Sequence, residues 1–154
     1  MQLYIDIISG DELFTDDFPV KEVGGAYEVE CKLIEVSADA EEGPSGGKRT
    51  VLDVVFAHSL QPTSFDKKSY GAYLTRYLKA VKTKLTETAP ESVEVFEKES
   101  AALAKRVLAN FRDYDPLTGQ SMNSDGAVAL LNYRDDGTTP YLTFFKHGVE
   151  ATEL

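Results

Sequence analysis

The chain has 154 residues, with 26 Asp and Glu against 16 Lys and Arg, a formal net charge of −10 and a pI near 4.6. Neutralising phosphates or anionic lipid headgroups takes clustered cations, so this balance argues against nucleic acid and membrane surfaces as partners. The single cysteine, Cys31, excludes an intramolecular disulfide framework and a multi-cysteine zinc site.

A chain of this length is expected to form one domain and to bury roughly 70% of its unfolded surface, enough for a core without metal support. The N-terminus MQLYIDIISGDELF lacks a basic region followed by an apolar core, so no signal peptide is read. No apolar run approaches the roughly 20 residues of a membrane span. The expectation is a soluble cytoplasmic protein.

In chain order, Met1–Ile8 reads as an apolar-rich strand. Across 27–36, Tyr27, Val29, Cys31 and Leu33 alternate with Glu28, Glu30 and Lys32, the period of a half-buried strand. Residues 37–50, SADAEEGPSGGKRT, have no apolar period and predict a flexible acidic loop. Residues 51–57 are a further strand candidate. From Asp66, the spacing of Tyr70, Tyr73, Leu74, Tyr77, Leu78, Val81 and Leu85 predicts a helix over 66–87. Asp66 is its N-cap, with Phe65 and Tyr70 placed as a hydrophobic staple. Pro90 suits the first position of a second helix, whose stripe of Val93, Phe96, Leu103, Val107 and Phe111 runs to about 112. A connection this short predicts an antiparallel helical hairpin. Finally, strands at 127–133 and 141–146 flank Asp135-Asp136-Gly137, an Asp-Gly hairpin signal. Strands before and after a helical hairpin predict an α+β fold with antiparallel or mixed sheets in a single domain.

Charge divides along the same line. Residues 66–113 hold ten Lys and Arg against seven Asp and Glu, a balance of +3; the remainder holds six against nineteen, −13. Within the first helix, Lys67, Lys68, Arg76, Lys79, Lys82 and Lys84 outnumber Asp66 and Glu87. This patch can steer toward an acidic protein surface.

Other motifs dissolve on counting. Gly43-Pro-Ser-Gly-Gly-Lys-Arg-Thr50 has three residues rather than four before Gly47-Lys48, and Arg49 displaces the hydroxyl that a phosphate loop places on magnesium. Asp113-Tyr-Asp115 begins like a calcium loop, but positions six and twelve are Thr118 and Ser124 instead of Gly and Glu. It reads as a turn, leaving weak calcium binding through clustered surface carboxylates as the metal reading. Cys31 shares a strand face with Val29 and Leu33 and reads as a core thiol. His147-Gly148 reads as a turn beyond the last strand. No Ser, His and Asp set stands in a catalytic context such as G-x-S-x-G. Asp11-Glu12, just after the first strand, are candidate acidic contacts for a partner.

The order of several stretches resembles the translationally controlled tumour protein family. They are Ile8-Ser9-Gly10-Asp11-Glu12-Leu13-Phe14-Thr15-Asp16, the helix entry Thr63-Ser64-Phe65, Val107-Leu108-Ala109-Asn110-Phe111 and, most specific, Met122 through Gly137, continuing into Thr139-Pro140-Tyr141 and Phe144-Phe145-Lys146. Departures are a short loop with only Ser37–Gly43 comparable, Gly119-Gln120 in place of Gly-Glu, and no C-terminal Cys, so a dimer bridged through that cysteine is not available and a monomer is expected. The resemblance implies a β-tent with a protruding helical hairpin, similar to Rab-binding chaperones of the nucleotide-free state. It implies a non-catalytic, cytoplasmic protein that promotes growth and survival, with secretion by a non-classical route also known in the family. Implied partners are Rheb-type small GTPases, tubulin and microtubules, calcium, elongation factor components and anti-apoptotic Bcl-family proteins; no cofactor is required. By position, Glu12, with Asp11 beside it, matches the acidic contact for the GTPase. The basic helix with Lys67, Lys68, Arg76, Lys79, Lys82 and Lys84 matches the tubulin-linked region.

Overall fold

The computed structural model describes residues 1–37 and 48–154. Eleven strands and three α-helices are formed by these residues: β1 (Gln2–Asp6), β2 (Glu12–Thr15), β3 (Val20–Val23), β4 (Ala26–Glu30), β5 (Leu33–Ser37), β6 (Lys48–Leu52), α1 (Asp53–Ala57), β7 (Gln61–Pro62), α2 (Lys67–Thr88), α3 (Val93–Ala109), β8 (Asp115–Thr118), β9 (Val128–Tyr133), β10 (Pro140–Phe145) and β11 (Val149–Glu153). All pairings are antiparallel. One sheet has the order β11-β1-β2, a second β3-β4-β10-β9-β8-β7, and β5-β6 is a separate ribbon. The α+β architecture with its helical hairpin is the one expected. No helix among the described residues is long and apolar enough to cross a membrane.

The hairpin forms as its sequence dictates. Asp66 Oδ1 accepts the Ser69 amide at 2.7 Å, and Ser69 Oγ accepts the Asp66 amide at 3.0 Å, closing a capping box. Phe65 meets Tyr70 edge-on at 5.7 Å, which completes the staple and sets the angle at which the chain enters α2. At the far end, Pro90 opens a 3-10 turn, Pro90–Ser92, that leads into α3. Lys82 pairs with Glu97 at 3.3 Å, and a Cβ on Gly71 would lie 3.9 Å from the Leu108 side chain. Each pair has indices adding to the same total, which is the register of two antiparallel helices.

Two aromatic groups build the core. Tyr4, Phe14, Tyr27 and Phe144 gather inside the sheets, Tyr4 stacking on Phe14 at 4.4 Å. Tyr70, Tyr73 and Tyr77 seam α2 to the body, stacking on Phe111 and meeting Phe145. Each such buried ring contributes roughly 2–3 kcal/mol of apolar transfer. Burial raises all three tyrosine hydroxyls above their ordinary pKa. Tyr73 donates to the Gly126 carbonyl at 2.7 Å, while the Tyr77 hydroxyl packs against Gly148 in the space a Cβ would need and has no hydrogen-bond partner.

Four expectations need correction. The strand expected over 27–36 is two strands in different sheets. After Glu30 the Cys31 amide donates to Pro140, then Lys32 exchanges hydrogen bonds with Asp53, and the chain turns out of the sheet. Cys31 is buried as expected, its thiol pushed up to about 12 first by burial, but Leu33 is 66% exposed and does not share its face. The strand expected over 51–57 ends at Leu52: the Asp53 carboxylate accepts the amides of Lys32 and Val54 and starts a short helix, overriding the β-branched run. Ser37 and Lys48–Thr50, placed in the loop, pair in β5 and β6. The rest of that loop, 38–47, with most of the phosphate-loop look-alike, lies outside the described residues. His147-Gly148 is a 3-10 turn that feeds β11 rather than ending the sheet.

Candidate protein-interaction sites

The turn from β1 to β2 is built on two carboxylates. Asp6 is 2% exposed and accepts the Ile8 amide at 2.9 Å, the Ser9 hydroxyl at 2.6 Å and the Ala127 amide at 2.7 Å. A buried carboxylate needs such donors, because desolvation is costly without them. Asp11 accepts the hydroxyls of Ser9 at 3.0 Å and Ser121 at 2.7 Å and the Ser121 amide at 3.2 Å, tying the turn to the loop before β9. A side chain at Gly126 would meet Asp6, and one at Gly119 would meet Asp11. Gly10 takes φ +82°, a left-handed conformation that glycine adopts freely.

Glu12 begins β2 just beyond this turn and is exposed. Its carboxylate makes no hydrogen bond or ion pair among the described residues. Its field reaches His58, which burial pushes below its ordinary pKa and which Glu12 pulls partly back. The two acidic candidates therefore separate: Asp11 is spent on the turn, whereas Glu12 is presented on a rigid support. Asp6 and Ser121, which organise that support, escape a reading by motif. The available signal is one charged residue inside the apolar Met1–Ile8 run, followed by Ser9-Gly10.

The basic helix separates too. A step of about 100° per residue puts Lys68 and Lys79 opposite the buried Tyr70–Tyr77 stripe and Arg76 on its flank, where it borders a cleft with Ile8, Ser124 and Asp125; all three are exposed and without ion pairs among the described residues. Lys82 is held by Glu97. Lys84 is turned to the body side, lining a cleft with Glu22 and Lys146, and Lys67 starts the helix. Lys67 and Lys68 sit at the positive end of the helix dipole, with no acidic residue in that first turn, so helix stability does not account for them.

A third polar cluster joins the arm to the body. Glu99 Oε1 meets His147 Nε2 at 2.8 Å and Lys146 Nζ at 3.4 Å; Lys146 also meets Glu22 at 2.7 Å. The His147 hydrogen bond, foremost, and Lys146 hold the Glu99 carboxyl below its ordinary pKa, and Glu22 and Glu99 raise Lys146. At Gly25, a Cβ would come within 2.9 Å of the Glu99 backbone, so the β3–β4 turn seats directly on α3. His147 is thus an arm contact, His58 stands beside Phe18, and Cys31 is core: the structure does not bring them together. Among the described residues no group of three or more His, Cys, Asp or Glu is gathered for a metal; Asp113 lies in a 3-10 turn and Asp115 opens β8.

A two-sheet body with a helical arm, presenting charge at a β turn and along a helix, defines a class of protein built around surfaces. The family model for translationally controlled tumour protein matches residues 1–150. The chain is 48% identical over 167 residues to the translationally-controlled tumor protein homolog of Yarrowia lipolytica and 47% identical over 168 residues to that of Schizosaccharomyces pombe, with 100% of both chains covered in each case. The solved structure of the Schizosaccharomyces pombe translationally controlled tumor-associated protein is similar at a TM-score of 0.88 and 45% identity, covering 100% of each chain. The solution structure of the Caenorhabditis elegans protein shares the fold at a TM-score of 0.74 and 24% identity, covering 100% of this chain and 99% of the other. The chain belongs to the translationally controlled tumour protein family.

Proposed function

We propose that this protein is a non-catalytic cytoplasmic regulator that engages a small GTPase through the surface around Glu12, in the service of growth and survival. The observation that carries this reading is the contrast between Asp11, consumed by Ser9 and Ser121, and Glu12, exposed and unpaired one residue later. A carboxylate held on a rigid strand and offered to a nucleotide site competes with phosphate oxygens for magnesium and for the phosphate-binding lysine of the GTPase. Such competition stabilises the nucleotide-free state and speeds release. The test is nucleotide release from a Rheb-type GTPase: Glu12→Ala should slow release and weaken binding. Unchanged release and binding would remove Glu12 from this role.

A second reading has its own support. Lys68 and Lys79 form an outward, unpaired cationic face, flanked by Arg76, that is suited to the acidic surface of tubulin, with attraction that fades as salt shortens the Debye length. Lys82 contributes less to it because Glu97 already holds its charge. Elongation factor components and anti-apoptotic Bcl-family proteins belong to the same proposal as further protein partners. Among the described residues no group of three or more His, Cys, Asp or Glu is assembled that would hold calcium.

A further inference from the structure

β11 closes one side of the three-stranded sheet and leaves its outer edge open among the described residues. The Ile7 amide bonds to Gly148 O at 3.1 Å and the Leu154 amide to Met1 O at 2.9 Å. In an antiparallel ladder the bonding residues alternate, so Gly148, Glu150, Thr152 and Leu154 face β1. The N–H and C=O groups of Ala151 and Glu153 and the Val149 carbonyl therefore point outward, while the Val149 N–H is taken by the Lys146 carbonyl as the cap of the 3-10 turn. Val149 and Ala151 line a cleft of about 570 Å³ between this edge and the C-terminal end of α2. Its apolar surface includes Ile7 and Leu85.

Charges at the cleft fall into two sets. Lys146 is paired with Glu22 and Glu99, and His147 is hydrogen-bonded to Glu99. Glu150 on the strand and Lys84 on the helix have no ion pair among the described residues. An unpaired strand edge beside an apolar trough is the geometry of strand addition, in which backbone bonds supply affinity and alternate side chains supply selectivity.

We propose that the outer edge of β11 accepts an extended peptide from a partner protein as a fourth strand. The peptide alternates apolar residues, which enter the trough beside Ile7 and Leu85, with basic residues, which meet Glu150, and it ends in an acidic group opposite Lys84. The net charge of −10 draws such a peptide in. This surface is separate from both Glu12 and the outward face of α2.

The probe is a fluorescein-labelled peptide alternating valine and lysine with a free C-terminal carboxylate, titrated by anisotropy against the full chain. Ala151→Pro removes one outward N–H from an edge strand, where proline is tolerated, and leaves the bonds to β1 in place. Ala151→Pro and Glu150→Lys should each weaken binding at least tenfold. Amide exchange at Ala151 and Glu153 should slow when wild-type protein binds the probe. Absence of saturable binding, or binding that survives Ala151→Pro, overturns the proposal. So does slowing of those amides on raising protein concentration without peptide, which would put a second copy of the chain on the edge. Should Ala151→Pro fail to fold, Glu150→Lys and the exchange pattern decide.

Discussion

The β1–β2 turn and the outward face of α2 use charge in opposite ways. In the turn, the carboxylates of Asp6 and Asp11 are consumed by amides and hydroxyls of the turn itself and of the loop before β9, which they tie together. On α2, the charges of Lys68 and Lys79 have no hydrogen bond or ion pair among the described residues and face away from the body. Charge in a protein thus falls into a portion that builds and a portion that is offered. The location of a charged residue in a motif does not say which it is; its hydrogen bonds do. Asp11 and Glu12 are neighbours in the chain and fall on opposite sides of this division.

The largest test of the building portion is Asp6→Ala. It leaves the Ile8 and Ala127 amides without their acceptor, and we expect a loss of about 3 kcal/mol in urea unfolding. A loss below about 1 kcal/mol would mean the turn stands without its carboxylate. Gly148→Ala comes next: the added methyl collides with the Tyr77 hydroxyl, so overpacking should cost about 2 kcal/mol and lower the melting temperature. A neutral result would show that the arm shifts freely on the body.

Glu99→Gln probes the junction between the two regions and should cost about 1 kcal/mol near neutral pH, since Glu99 is partly exposed and its pairs are screened. The folded-state pKa of Glu99 lies below its unfolded value, so this contribution is present above the unfolded pKa. It is lost as pH falls through the folded one. The gap in melting temperature between wild type and variant should therefore begin to close as pH falls below the ordinary Glu value of about 4.3 and vanish below the folded one; a gap that persists in strong acid would assign the effect to packing. The smallest stability effect belongs to the offered portion. Charge reversal of Lys68 and Lys79 to Glu together should change stability by about 0.5 kcal/mol or less. It should nevertheless abolish cosedimentation with microtubules. Retained cosedimentation would return these cations to the status of solvated helix surface.

The same division explains what could be read in advance. The helices were legible because Tyr70, Tyr73, Tyr77 and their counterparts on α3 repeat over many turns, and because Asp66 and Ser69 cap locally. The β9–β10 hairpin was legible from its Asp-Gly turn, where Thr139, foremost, and the amides of Thr138 and Thr139 bond Asp136 and hold its carboxyl at about 2. Strands β2, β3, β7 and β8 are four residues or fewer, too short for alternation to register. β11 reads Val-Glu-Ala-Thr-Glu and looks like a polar tail because it is an edge whose outer part meets solvent. The candidate residues Glu12 and Lys79 were visible by charge. The support of Glu12 was not, since Asp6 and Ala127 stand 121 positions apart and meet only in the fold.

The fixed register of the arm has a consequence for how this molecule tolerates change in length. Lys82 faces Glu97 as Gly71 faces Leu108, so residues added inside α2 alone would slide one helix past the other and break every pair toward the body. Residues added between Thr88 and Ser92 would disturb none of them. Growth in whole turns, matched on both helices, would extend the rod while its root stays unmoved. A tag, a probe or a foreign loop is therefore best placed at Glu91, beyond Thr88 and Ala89, which line the cleft facing β11 and must keep their positions.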